Sequence, residues 1–246
     1  VTVPRIVELD FVAGAREARG LAVVIDVFRA FSFACYAFDG GVGAYHPVAG
    51  IDEALVLRDA HPGWLLAGER HARQLPGFDF GNSPTQVVDA DVRGRTLVHT
   101  THSGTQGLVS ATQADEVITG ALVNAGAIVR YIEARAPAVV SLVRMGHEAR
   151  ERCAEDDLCA ALLRARLEGR PFDVARIREQ LRQAPAAKKF FDPEATWAPE
   201  PDFDYATDVD RFDFVLRLER DRRGHPALRR IDVPRPHAAL VPGWRA

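Results

Sequence analysis

Lysine is almost absent from this sequence: Lys188 and Lys189 are its only two, adjacent in a proline-flanked stretch. A nucleotide-binding P-loop needs its lysine directly after a glycine-rich turn, and a Schiff-base enzyme needs a desolvated amine, so the first 187 residues support neither. Arginine is left to do the cationic work. Cysteine is scarce as well: Cys35, Cys153 and Cys159 form no C-x-x-C pair. With no secretory apolar stretch upstream, this predicts reduced thiols and a cytoplasmic location. Long hydrophobic runs are missing. The longest, Phe31 to Phe38, is bracketed by Arg29 and Asp39 and is far short of the ~20 residues that span a bilayer, so no membrane partner is expected. Nor does either charge predominate. With 31 basic and 34 acidic side chains the formal charge is −3, which gives no reason to expect nucleic acid. A small-molecule ligand remains as the default.

What is present is a series of short Val- and Leu-rich runs separated by segments of helical spacing. That pattern predicts an α/β fold, a mostly parallel sheet covered by helices. Strands are expected at 3–9, 21–25, 43–48, 64–67, 96–99, 116–119 and 138–143. Helices are expected at 29–38, 51–60, 105–112, 122–134, 155–168 and 174–183. The 246 residues suit one hydrophobic core, hence a single domain over 1–246. Prolines, acids and aromatics mix without periodicity at about 184–204, an irregular excursion or flap. Beyond it, 212–218 reads as a closing helix and 228–233 as an edge strand.

In parallel α/β sheets ligands bind beyond the carboxyl ends of the strands, so polar residues directly after apolar runs are the first site candidates. Asp26 follows Leu-Ala-Val-Val-Ile, Glu69 follows Trp-Leu-Leu-Ala-Gly, and Thr100 and Thr101 follow Thr-Leu-Val-His. Asp79 lies in the glycine-rich loop Gly-Phe-Asp-Phe-Gly-Asn-Ser-Pro. Arg29 and Arg70 accompany Asp26 and Glu69, either as structural ion pairs or as phosphate ligands beside metal-binding acids. The turn Thr100-Thr101-His102-Ser103-Gly104-Thr105 offers hydroxyls and free amides at a helix start, which suits an oxyanion.

Asp26, Glu69, Asp79, Glu155 and Asp156 together make an oxygen-rich set fit for a hard cation such as Mg²⁺. A zinc site is not expected, because His147-Glu148 lacks a second histidine at zincin spacing and His71, His99 and His102 are scattered in sequence. Spacing also excludes a cysteine-nucleophile phosphatase loop and a G-x-S-x-G elbow. Phe28 stands where an aspartyl-phosphate hydrolase would carry its second aspartate.

Five segments taken together resemble one family: Val-Ile-Asp-Val-Phe-Arg-Ala (24–30), Leu-Ala-Gly-Glu-Arg (66–70), Gly-Phe-Asp-Phe-Gly-Asn-Ser-Pro (77–84), Thr-Thr-His-Ser-Gly-Thr (100–105) and Glu-Asp-Asp-Leu-Cys-Ala (155–160). In this order and spacing they are similar to the 2-phosphosulfolactate phosphatases. The resemblance implies that family's own α/β fold and a Mg²⁺-dependent phosphomonoesterase. Its reaction would convert 2-phospho-3-sulfolactate to 3-sulfolactate and phosphate, a step in coenzyme M biosynthesis. It carries over Asp26, Arg29 and Glu69 as catalytic candidates. Arg29, Arg70, Asn82, Ser83, Thr100, Thr101, Gly104 and Thr105 become substrate contacts, to which the turn itself adds Ser103, and Asp26, Glu69, Asp79, Glu155 and Asp156 become metal ligands. Either a water activated by the cation or Asp26 itself is the nucleophile. The expected partner is a small anionic phosphate ester, with a homodimer possible on size.

The chain departs from the family's usual pattern at four positions. Serine stands at 103 for asparagine, Phe31 and Phe33 replace small hydroxyl residues, and His71 replaces glycine. These changes are expected to flank the pocket. They motivate a second reading, a member that binds an anionic metabolite without turning it over.

Overall fold

Leu21–Ile25 is the most buried strand, with every residue buried. An unbroken apolar run is what a strand covered on both faces requires. Its side chains alternate between two cores: Ala22 and Val24 join one, while Leu21, Val23 and Ile25 join the other. This computed structural model describes residues 3–235; the outermost parts of the expected 1–246 domain lie outside the described residues.

In chain order the elements begin β1 (Arg5–Asp10), α1 (Phe11–Glu17), β2 (Leu21–Ile25), α2 (Ala30–Asp39), β3 (Ala44–Pro47), α3 (Ile51–Ala60), β4 (Leu65–Arg70) and β5 (Arg73–Gln74). There follow α4 (Pro84–Val88), β6 (Thr96–Thr100), α5 (Gly104–Ser110), β7 (Glu116–Gly120), a 3₁₀ turn (Leu122–Asn124), α6 (Ala125–Arg135) and β8 (Val139–Arg144). The last third comprises α7 (Ala154–Leu167), α8 (Ala175–Arg182), a second 3₁₀ segment (Pro185–Phe190), α9 (Glu200–Thr207), β9 (Phe214–Arg220) and β10 (Pro226–Asp232).

The α/β expectation holds, with the strands divided between two sheets. Among the described residues one sheet has six strands in the order β1-β8-β2-β7-β9-β10 and the other has four, β3-β6-β4-β5. Pairings β1/β8, β8/β2, β2/β7, β3/β6 and β6/β4 are parallel, whereas β7/β9, β9/β10 and β4/β5 are antiparallel. The residues expected to form a closing helix at 212–218 instead enter strand β9, in full antiparallel register with β10. A short apolar run such as Phe214-Val215-Leu216 fits either period, and pairing with β10 decides it.

Helix α2 is buried from Ala30 through Phe38. A helix apolar on all sides belongs in an interior. Phe31 and Phe33 accordingly point into the core, where Phe33 packs on His99 at a ring separation of 5.1 Å. His99 is itself buried, with Nδ1 2.5 Å from the Tyr45 hydroxyl. The expectation that Phe31 and Phe33 flank the ligand pocket is therefore corrected: both belong to the core.

Candidate active site

A cavity of about 230 Å³ opens at the carboxyl ends of β2, β4, β6 and β8. Asp26, Phe28 and Arg29 reach it from the end of β2, and Glu69 from β4 with His71 and Ala72 after it. His102 and Ser103 follow β6, while Gly146, His147 and Glu148 follow β8. Asn82 enters ahead of α4, Cys153, Glu155 and Asp156 lie at the start of α7, and Pro185, Ala186 and Lys189 form the remaining wall.

Its acids fall into two kinds. Asp156 and Glu69 have both oxygens committed to backbone amides. Asp156 accepts from Val27 at 2.9 Å and Gly146 at 2.8 Å, and Glu69 accepts from His102 and Ala72 at 2.8 Å each. These bonds staple neighbouring strand ends together. Asp26 and Glu155 are freer. Asp26 accepts one bond, 3.3 Å from the Ala30 amide, and among the described residues no donor reaches buried Glu155 Oε2. The buried Asn82 Oδ1 also has no donor among the described residues.

Burial pushes the Asp26 carboxyl up to about 7, with the negative charges of Glu69 and Glu155 adding to the shift. Burial likewise raises Asp156, where Asp26 and Glu155 contribute, and raises Glu155. Mutually repelling, desolvated carboxylates beside orphaned oxygens form a site that a hard, oxygen-seeking cation fits. An unpaired buried oxygen costs about 1–3 kcal/mol, which such a cation would recover.

The cations correct the expectation that arginine works alone. Lys189 lines the cavity and is half-buried. Burial and the Arg29 guanidinium push its ammonium below the usual lysine range, while Glu155, Asp26 and Glu69 pull it back up. Arg29 is buried and held on three sides: Nη1 donates to Asp202 Oδ2 at 2.5 Å and to the Trp197 carbonyl at 2.9 Å, and Nη2 to the Ala72 carbonyl at 3.2 Å. Asp202 is fully buried, and its other oxygen accepts from Ser83 Oγ, the Thr85 amide and Thr85 Oγ1. Both Lys189 and Asp202 come from the tract whose prolines suggested an irregular excursion. The available signals were a rare lysine pair, and an acid set between Pro201 and Phe203 at a proline-started helix.

Several expected site residues stand outside the cavity lining, each for a visible reason. Asp79 is exposed and accepts from the Leu66 amide at 2.8 Å, so it fastens its own loop to β4. Arg70 turns back to the Glu69 carbonyl and to Thr100 Oγ1. Thr101 and Thr105 cap one another, each amide donating to the other's hydroxyl oxygen at 2.8 and 3.1 Å. With the His102 amide also committed, three amides of this turn are spent within the fold. Ser83 serves Asp202. Gly104 lies behind Asp26, where a Cβ would come within 2.7 Å of Asp26 Oδ2 and 2.9 Å of Ala30 Cβ. His71 and His102, scattered in sequence, are neighbours here, with ring centroids 5.1 Å apart.

The chain is 29% identical over 203 residues to a probable 2-phosphosulfolactate phosphatase of Bacillus subtilis (strain 168), covering 81% of this chain and 87% of that protein. It is 42% identical over 115 residues to a probable 2-phosphosulfolactate phosphatase of Caldanaerobacter subterraneus, a match spanning 45% of this chain and 46% of that protein. A third of the same description, from Parasynechococcus marenigrum, is 38% identical over 149 residues, 60% of this chain and 61% of that protein. The model of the family described as 2-phosphosulpholactate phosphatase matches residues 10–221, and the chain therefore belongs to that family.

Proposed function

We propose that this protein is a phosphoric monoester hydrolase that releases phosphate from 2-phosphosulfolactate or a closely related small phospho-acid, with Mg²⁺ as cofactor. One observation carries the reading: four carboxylates from β2, β4 and α7 share one cavity with two orphaned oxygens, and that cavity belongs to a chain of this family. Unaided, the cavity would repel its own substrate. Asp26, Glu69, Glu155 and Asp156 face Lys189 and an Arg29 already paired with Asp202, leaving the wall net negative against a polyanion. A divalent ion offsets most of that charge. The freer oxygens of Asp26, Glu155 and Asn82 are the ones to hold it, while Glu69 and Asp156 keep the walls in register. When bound, Mg²⁺ supplies charge neutralisation for phosphoryl oxygens.

The remaining chemistry belongs to the chain. Lys189 and the Ser103 hydroxyl donate to substrate oxygens, while Arg29, tied to Asp202 and to the Trp197 and Ala72 carbonyls, holds the cavity wall in place. The P–O ester bond breaks, water adds to phosphorus, and the alcohol and inorganic phosphate leave. A step in coenzyme M biosynthesis and a cytoplasmic location complete the reading. The free, buried thiols of Cys35 and Cys159 agree with a reducing compartment. Among the described residues no helix is long and apolar enough to cross a membrane.

Phosphate release from 2-phosphosulfolactate is expected to vanish in EDTA and to return with added Mg²⁺. Undiminished turnover without metal would overturn the metal requirement, and no turnover with Mg²⁺ would overturn the substrate. Gly104→Ala tests the geometry. The added methyl must displace Asp26 or Ala30, at a cost of roughly 1–3 kcal/mol in a urea titration. A displacement near 1 Å at a reacting centre lowers turnover about 100-fold.

The reading of a binding-only member loses its motive at Phe31 and Phe33, which face the core. His71 and Ser103 do line the cavity.

A further inference from the structure

We propose that His71, His102 and Glu148 form a second metal site at the edge of the same cavity, selective for a borderline-soft divalent ion such as Zn²⁺ or Co²⁺. One donor atom from each lies within 4.8 Å of the other two. His71 Nδ1 and Glu148 Oε1 are already in contact as a hydrogen-bonded pair. Among the described residues His102 Nδ1 is buried without a partner. Its turn is fixed, because the His102 amide donates to Glu69 Oε1 at 2.8 Å.

The backbone provides an independent argument. His71 and Ala72 are the two residues between the paired Arg70 and Arg73, and both have positive φ, 55° and 62°. Glu148 and Ala149 repeat the arrangement at 51° and 55°, inside the turn closed by the Arg150 amide on the His147 carbonyl at 3.0 Å. Two-residue turns with both φ values positive strongly prefer Asn-Gly, since a Cβ in this region costs roughly 1–2 kcal/mol. Here two facing turns both carry an alanine at the second position, and a metal-ligating side chain at the first. Outliers of this kind cluster at functional sites.

Donor chemistry separates this site from the carboxylate cluster. Two imidazoles and one carboxylate suit Zn²⁺ and its analogues, whereas Mg²⁺ favours an all-oxygen shell. Donors around a tetrahedral zinc lie about 3.3 Å apart, so the widest pair here has at most roughly 1.5 Å to close, while the His71–Glu148 contact opens to admit the ion. The exposed His71 ring is free to do so. Three protein ligands leave a fourth position open, for an anionic oxygen of whatever occupies the cavity. This site is independent of the Mg²⁺-dependent hydrolysis proposed above.

The test uses Co²⁺ as a visible reporter on the full-length, EDTA-stripped protein, titrated in excess MgCl₂ to occupy the carboxylate cluster. One equivalent of Co²⁺ is expected to give ligand-field bands, removed by Zn²⁺. His71→Asn and Glu148→Asn, which suit the positive-φ turns and should fold, are expected to weaken Co²⁺ binding about 100-fold or more. Glu155→Gln should leave the bands in place. Bands that persist in both asparagine variants, bands lost only in Glu155→Gln, or no binding at millimolar Co²⁺ would each overturn the site.

Discussion

Asp202→Ala is expected to destabilise the protein by about 3–5 kcal/mol, because it leaves the buried Arg29 guanidinium without its counter-charge. Both side chains are almost inaccessible, at 1% and 0% exposure, so water cannot replace the lost carboxylate. Ser83, Thr85 and its amide lose their acceptor at the same time. A loss of that size is a large part of the 5–15 kcal/mol typical of a folded domain, and it should appear as a clear fall in the urea midpoint. Asp202→Asn separates the two contributions: it keeps an acceptor for Ser83 and Thr85 and discards the charge. A loss below about 1 kcal/mol in both variants would show that Arg29 is satisfied by the Trp197 and Ala72 carbonyls alone.

Asp26→Asn is expected to pull activity and stability in opposite directions. Turnover should fall at least about 10³-fold, since in the function proposed above this carboxylate would hold the cation against the phosphate and contribute several kcal/mol to the transition state. In EDTA the same variant should be more stable than the parent at pH 8. The folded-state carboxyl titrates at about 7 against an ordinary 3.8, chiefly because of burial. Between those values the folded protein holds a proton that the unfolded chain has released, so metal-free stability falls as pH rises through that window. Three units correspond to a ceiling of about 4 kcal/mol. Asparagine carries no such charge, and its stability profile should lack that slope. Mg²⁺ should raise the Tm of the parent at pH 8 and leave that of the variant nearly unchanged. A variant no more stable than the parent in EDTA, at any pH, would mean that Asp26 is not strained by its surroundings.

The strand ends were legible because their signal is local. The five apolar residues of β2 followed at once by Asp26, and the acidic first turn of α7, place three of the cavity's acids from spacing alone. What decided the rest is long-range. Nothing near Asp79 shows that its carboxylate will spend itself on the Leu66 amide, and nothing near Thr101 and Thr105 shows that they will cap each other rather than an anion. Lys189 and Asp202 sit where prolines break every period, yet proline in a first turn is compatible with helix, and α9 begins that way. The division into two sheets and the strand β9 depend on partners far away in the chain, which periodicity does not encode.

The pairing of Arg29 with Asp202 joins residues 173 positions apart. During synthesis at ~5–20 residues per second, the arginine waits roughly 10–35 s for its carboxylate to be made. Until then the floor of the pocket carries a bare cation and α2 lacks its final anchor. Translation therefore supplies this anchor late, with only β9 and β10 still to come, and a chain that ends before α9 carries all four acids of the pocket without their keystone.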